Sequence, residues 1–383
     1  MTTFNVTDLV NKACKKSGLG PYENTSYREG LEVLIREINA CEATTEVTFE
    51  KLEPIIIETL VNRFRVEDYV GKHPGVLDQP IEKPIFLFGI PRTGTTISNH
   101  LLGTDKTRRS LLNWEVLDSV PPPTTETLYT DPRCANKRKQ QEAMLAANPD
   151  VVIPHWEYAD DPTECTFILA QDFKAMSWEA RLPMPGYSKW VLECDMTSAY
   201  EYHKKLLQVL QSTAPGIWNL KMPSHSVYVS TLLKVYPDAR LIWTHRDPYK
   251  TFASSCSLNK FSQAVTGVDP DPLYIGNNAA RRLGAHLNGA MAAKDKLGDN
   301  VIYDLHYADM MRDPIAEMRK LYAWLGDEFT AEVETGMQQW LDDHPKGKHG
   351  DHTYSLEEYG LSVDKLKPVF GEYVERFNVK TAS

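Results

Sequence analysis

The chain lacks several things that would assign it quickly. No window approaches ~18 uninterrupted apolar residues, the length a membrane-crossing helix needs. The stretch Met1 to Gly18 carries polar residues throughout and lacks the apolar core of a secretory leader. A cytoplasmic location is therefore expected. Basic residues are not in excess: 42 Lys and Arg stand against 52 Asp and Glu, a formal net charge of -10. That balance excludes general nucleic-acid binding, which needs cations to replace the counterions of a polyanion. The six cysteines, Cys14, Cys41, Cys134, Cys165, Cys194 and Cys256, form no C-x-x-C pair and no metal-ligand spacing. Reduced thiols are the expectation. Internal repeats and low-complexity tracts are absent as well.

What is present is a large α/β pattern. With 383 residues and 42% apolar content the chain can bury a sizeable core. The first ~80 residues read as an N-terminal helical segment packed on the core. Ser26-Tyr27-Arg28-Glu29 has the form of a capping box ahead of Leu31, Leu34, Ile35 and Ile38, and a second helix is expected over roughly Phe49 to Phe64. From Ile85 onward strand and helix alternate, which predicts a central parallel sheet flanked by helices. Strands are expected at Ile85 to Phe88, Ile217 to Lys221, Ala239 to Thr244 and Val301 to Leu305. Helices are expected at Val227 to Tyr236, after Pro248, and after Pro314 at a first helical position. Residues from about 115 to 200 read as an irregular, aromatic-rich insertion containing Trp156, Tyr158, Phe167, Phe173, Trp178 and Trp190. Such a cluster serves equally to cover a ligand or to fill core.

The most informative segment is Gly89-Ile90-Pro91-Arg92-Thr93-Gly94-Thr95-Thr96, between an apolar strand and a helical pattern in Ile97, Leu101 and Leu102. A tight glycine loop opening a helix presents backbone N–H groups and the positive end of the helix dipole to a phosphate. The loop fits the Gly-x-x-x-x-Gly frame of a P-loop. It departs at Thr95, which stands where a nucleotide triphosphatase needs Lys, and it carries Arg92 inside the loop instead. A phosphorylated ligand other than a nucleoside triphosphate is expected. A second candidate is Trp243-Thr244-His245-Arg246-Asp247-Pro248, followed by Ser254 and Ser255 in the next helix. Arg246 leaves the end of a parallel strand, where ligands of such sheets bind. Its guanidinium and the Ser254 hydroxyl suit a second phosphate, although an Arg at a strand end beside Asp247 is more often a local ion pair.

Taken together, the Gly-x-Pro-Arg-x-Gly-Thr-Thr loop and Arg246 followed eight positions on by Ser254 resemble the PAPS-dependent sulfotransferases, over roughly residues 85 to 355. The resemblance is to the bacterial small-molecule and carbohydrate-type branch, which is related to the tyrosylprotein sulfotransferases. It implies a P-loop-like sulfotransferase fold and two segments, 1–80 helical and 81–383 a sulfotransferase domain. It also implies PAPS (3′-phosphoadenosine-5′-phosphosulfate) as sulfuryl donor without a required metal. Arg92, Thr93, Gly94, Thr95 and Thr96 would then hold the 5′-phosphosulfate, and Arg246 and Ser254 the 3′-phosphate. Lys221, at the end of a strand in Leu220-Lys221-Met222, resembles the family Lys that approaches the phosphosulfate bridge, where an ammonium stabilises the leaving oxygen. On the residues alone it is equally a solvated Lys.

The resemblance extends to Lys346-Gly347-Lys348-His349-Gly350-Asp351-His352-Thr353-Tyr354, which is similar to the glycine-containing loop that closes over PAPS. The expected contacts there are Lys346, Gly347, Lys348, His349, His352 and Tyr354, with His352 and Thr353 replacing the Trp-Lys of cytosolic enzymes. By composition it is a flexible, solvated lid. Arg281 and Arg282 also offer charge, but nothing local separates a site from an exposed face.

A base must take the acceptor's proton. Glu115, in Leu112-Asn113-Trp114-Glu115, resembles the catalytic Glu of the related branches. His155 competes, since imidazole titrates near neutrality, and Glu164 or Asp161 are further choices. The expected acceptor is a small molecule with a hydroxyl or amine, apolar or ring-bearing if the 150 to 190 aromatics line its pocket. A small-metabolite P-loop kinase and a non-catalytic nucleotide-binding protein remain the alternatives.

Overall fold

A computed structural model of the chain describes residues 2–22, 24–147, 156–298, 300–344 and 355–381. Two compact units emerge. The first comprises Met1–Ile81, Leu111–Pro215 and Leu258–Asp271, and the second Glu82–Ser110, Gly216–Ser257 and Pro272–Ser383.

The second unit is built on a five-stranded parallel sheet in the order β2-β3-β1-β4-β5, as the alternating pattern predicts. The strands are β1 (Ile85–Phe88), β2 (Arg108–Ser110), β3 (Ile217–Lys221), β4 (Arg240–His245) and β5 (Ile302–His306). Central β1 is buried on both faces, which explains why it reads as an unbroken apolar run and not as an alternation. Its register sets Leu87 against Lys221 of β3 and Phe88 against Trp243 of β4. The loop after β1 therefore leaves the sheet between the ends of β3 and β4, the crevice where open α/β sheets bind ligands.

Edge strand β2, Arg-Arg-Ser, has no apolar signature and sequence patterning misses it. Arg108 is buried there because its charge is matched: it pairs with Asp105 at 3.2 Å and Asp327 at 2.5 Å and lies over the Tyr322 ring. Asp327 also takes Arg240 of β4 at 2.8 Å. The predicted Pro314 start holds, with Asp313 capping Pro314–Leu325 through the Ala316 amide.

The first unit is helical. Its opening elements are α1 (Val6–Ser17), α2 (Tyr27–Ala40) and α3 (Glu46–Lys72), so the second expected helix is longer than Phe49 to Phe64. The capping box at α2 does not form. The Ser26 hydroxyl instead donates to Asp172 at 2.6 Å and accepts from Arg63 at 2.8 Å. A reciprocal box appears one helix later, between Thr45 and Thr48. Arg63 and Asp172 form a buried pair 3.1 Å apart, with the guanidinium over the Tyr202 ring at 4.0 Å. Removing one partner of such a pair costs about 3–5 kcal/mol, because the other charge is left without a counterion.

The stretch from 115 to 200 is less irregular than expected. It contains helices at Pro132–Ala147, Thr166–Leu169, Met176–Glu179 and Pro185–Glu193, and Thr197–Gln211 follows. Its prolines and aromatics mark short helices, the turn Ala170–Asp172 packs on α3, and the stacked Phe173 and Trp178 rings are buried in the unit's core. The six cysteines are free. Among the described residues no helix is long and apolar enough to cross a membrane.

Candidate active site

Three residues of the Gly89–Thr96 loop have positive φ: Gly89 at 154°, Arg92 at 70° and Gly94 at 95°. Two of them need glycine. A Cβ on Gly89 would lie 2.4 Å from the Thr244 hydroxyl, and one on Gly94 would lie 2.7 Å from the Tyr307 ring. Thr93 is buried and locks the loop from inside, donating to the Ile90 carbonyl at 2.7 Å and sharing a 2.6 Å hydrogen bond with Thr244 of β4. Its hydroxyl is thus committed to the fold.

Gly94 is the N-cap of α4 (Thr95–Gly103), whose first bonds run from the Ser98 amide and hydroxyl back to the Gly94 carbonyl. The amides of Thr95, Thr96 and Ile97 therefore precede the helical ladder and point out of its N-terminus. Those amides and the helix dipole favour an anion. The Arg92 side chain is exposed beside them, Thr96 is half-buried and Thr95 is buried.

Arg246 follows β4 and reaches this loop, donating to the Arg92 carbonyl at 2.7 Å while its guanidinium lies 4.0 Å over the Tyr307 ring. Burial pulls its pKa down from the ordinary value, with neighbouring Arg92 adding to that and Tyr307 opposing it. A guanidinium keeps its charge regardless. A pocket of about 520 Å³ opens beside it, its wall including Arg246, Lys250 and Lys380 together with Asp247 and Asp309. Ser254 is half-buried on the helix Pro248–Val265. Lys221 ends β3 fully buried, opposite Leu87 of β1, and the next amide, Met222, donates to the Leu87 carbonyl at 3.1 Å.

Behind Arg246 lies a buried relay. His245 meets the Asp304 carboxylate at 3.0 Å through Nε2 and the Tyr373 hydroxyl at 3.2 Å through Nδ1, and Lys294 donates to the other Asp304 oxygen. Burial pushes His245 down to about 4 despite Asp304. Burial also works to raise Asp304, but the hydrogen bonds from His245 and Lys294 outweigh it and hold the carboxyl below the usual range.

In the helical unit, Glu115 is fully buried and accepts from the Leu112 amide at 2.9 Å. Neighbouring side chains pin its segment. Trp114 donates to the Leu128 carbonyl at 3.1 Å beneath Arg133, and Lys137 donates to the carbonyl and side chain of Asn113 at 2.6 and 2.7 Å. Burial draws Lys137 down to about 8, with Glu157 opposing. Asp161 caps the Tyr158 amide at 2.7 Å, a structural use of that carboxylate, and Glu164 is half-buried.

The second unit thus brings together Arg92, Thr93, Gly94, Thr95, Thr96 and Arg246. His155 lies outside the described residues, as do Lys346, Gly347, Lys348, His349, His352 and Tyr354. Arg281 is exposed and donates to Asn278, whereas Arg282 is buried. Sequence reading missed Tyr307, which touches both the loop and Arg246. Its signal was positional: it directly follows the C-terminal end of a parallel strand.

Residues 84–331 match the family model described as the Sulfotransferase family. The chain belongs to the sulfotransferase family. It is an enzyme of that class. Its fold superposes on the crystal structure of sulfotransferase STF9 from Mycobacterium avium with a TM-score of 0.93 and 42% identity, covering 100% of this chain and 98% of that one. Against sulfotransferase STF1 from Mycobacterium tuberculosis H37Rv the TM-score is 0.86 at 29% identity, over 96% and 98% of the two chains. The omega-hydroxy-beta-dihydromenaquinone-9 sulfotransferase Stf3 of Mycobacterium bovis is 27% identical over 304 residues, 77% of this chain and 75% of its own length.

Proposed function

We propose that this sulfotransferase takes its sulfuryl group from PAPS and passes it to a hydroxyl or amine of an apolar small molecule, leaving adenosine 3′,5′-bisphosphate. The observation that carries the reading is the Arg246 guanidinium hydrogen-bonded to the Arg92 carbonyl. It joins the two cationic positions into one patch, as a ligand with phosphates at both its 5′ and 3′ positions requires. The α4 amides and Arg92 receive the phosphosulfate, and Arg246 with Ser254 receives the 3′-phosphate.

In the displacement, the acceptor oxygen or nitrogen forms a bond to sulfur as the bond from sulfur to the phosphate oxygen breaks. Glu115 takes the acceptor's proton, and Lys221 with Arg92 stabilises the charge left on the departing phosphate. This division of labour resembles phosphoryl transfer, where positioning and charge stabilisation supply most of the acceleration. An apolar acceptor is supported by the relative named for a menaquinone derivative. The enzyme is proposed to work in the cytoplasm.

Thermal shift with PAPS, adenosine 3′,5′-bisphosphate and ATP·Mg²⁺ tests the donor. A ligand that binds only the native state at 100 times its Kd adds about 2.7 kcal/mol of stability. PAPS and the bisphosphate are expected to raise Tm and Arg246→Ala to remove most of that rise. A strong response to ATP·Mg²⁺ with none to the bisphosphate would reverse the assignment to a kinase.

A further inference from the structure

The helical unit contains a pocket of about 430 Å³, within the size range of small-molecule sites, between α3 and the segment from Phe167 to Arg181. Its wall is largely apolar, including Ile55, Val116, Leu117, Phe167 and Trp178. Val116 and Leu117 directly follow Glu115, which is itself fully buried and not part of the wall. Most polar groups in the wall are already engaged. Asn62 and Gln171 bond to each other at 3.1 Å and both donate to the Val116 carbonyl. Thr59 donates to the Ile55 carbonyl at 2.7 Å, and the exposed Glu58 pairs with Lys16.

Among the charged groups of the wall, Arg181 stands apart from Glu58. The Arg181 side chain lines the pocket, its Nε is buried without a hydrogen-bond partner, and its guanidinium lies 5.8 Å from the centre of the Trp178 ring. Among the described residues no carboxylate pairs with it. Burial alone draws its pKa down from the ordinary value. An Arg side chain whose Nε is buried without a partner and that has no counterion is costly unless something else supplies the negative charge.

We propose that this pocket is the acceptor site and that it selects an apolar molecule carrying an anionic group, which pairs with Arg181 while the apolar body lies against Trp178, Phe167 and Leu117. The acceptor role rests on the assignment of Glu115 as base. The preference for an apolar anion rests on the pocket itself. Arg181 is thereby a specificity-determining residue for the anionic group of the acceptor.

Isothermal titration of the full-length protein with decanoate, 1-decanol and decyltrimethylammonium, each below its aggregation concentration, tests the preference without turnover. Decanoate is expected to bind at least tenfold tighter than decanol, with no detectable binding of the cation. Arg181→Gln should abolish that tenfold preference and leave decanol within about threefold. Arg181→Lys should restore part of it, and Thr59→Phe, which fills the pocket, should weaken both ligands. The wild-type ratio reads the charge requirement even where a variant folds poorly. Equal binding of decanoate and decanol, or no binding of either, overturns the inference. If the bisphosphate thermal shift persists in that case, the donor assignment stands; if it is absent from the wild-type protein, the donor assignment is the one that fails.

Discussion

The Gly89–Thr96 loop and the Leu112–Glu115 segment each carry an ionisable side chain, exposed Arg92 and buried Glu115, and they are held in shape by different means. The loop is a backbone construction: positive φ at Gly89, Arg92 and Gly94, a helix N-terminus, and one internal threonine. The Glu115 segment is a side-chain construction, pinned by Trp114 to Leu128, by Asn113 to Lys137, and at its far side by Asn62 to the Ser119 amide at 3.0 Å. A backbone-built site tolerates exchange of most side chains but not of its glycines. A side-chain-built site spreads its dependence over residues remote in sequence, so any one change loosens it without abolishing it.

The sharpest test of that contrast is Glu115→Gln, which keeps the shape and a hydrogen-bond acceptor for the Leu112 amide but removes the base. Single-turnover transfer from PAPS is expected to fall by about 10²- to 10⁴-fold, the usual worth of a positioned general base, with bisphosphate binding unchanged. Near-normal turnover would move the role to His155, Glu164 or Asp161.

Next in size is Gly94→Ala. A Cβ there meets the Tyr307 ring at 2.7 Å and a φ of 95° that L-residues avoid, a combined cost of about 1–3 kcal/mol. Tm is expected to fall by several degrees and bisphosphate affinity by more than tenfold. The double variant Gly94→Ala/Tyr307→Ala relieves the contact but not the φ, and should recover only part of the loss. Full recovery would show that packing and not backbone conformation shapes the loop.

The smallest effect concerns the relay behind Arg246. His245 is neutral in the fold until about pH 4, whereas in the unfolded chain it protonates near 6.5. Between those values the unfolded state binds the additional proton, so this contribution is full above about pH 6.5 and is lost as pH falls towards 4. It amounts to about 3 kcal/mol at most. His245→Asn is expected to flatten the decline of Tm with acid without removing it, because burial also pushes His203 and His286 down to about 3. An unchanged slope would place the acid sensitivity elsewhere.

The same contrast explains what could be read from the sequence. The sheet and its glycine loop were legible because local rules write them: an apolar run for β1, glycines where φ is positive, Pro314 at a helix start. Strand β2 was not, because Arg108 is buried only through Asp105 and the distant Asp327 and Tyr322. Ser26 misled for a similar reason. Its local spacing favours a capping box, and a buried Arg63 and Asp172 offered its hydroxyl stronger partners. The aromatic insertion was recognised by composition, but whether Phe173 and Trp178 fill core or border a cavity depends on how α3 packs against them, which no local spacing encodes.

Tyr307 has one ring edge on Gly94 and one face under Arg246. The three positions come from three separate strand ends and share a single contact surface. In other sequences a glycine loop alone is an ambiguous sign, since many nucleotide-binding proteins carry one. An Arg-bearing glycine loop accompanied by an arginine after the fourth strand and an aromatic residue after the fifth is a far more selective pattern. Its three members should also be transplanted together when such a loop is grafted onto another parallel sheet.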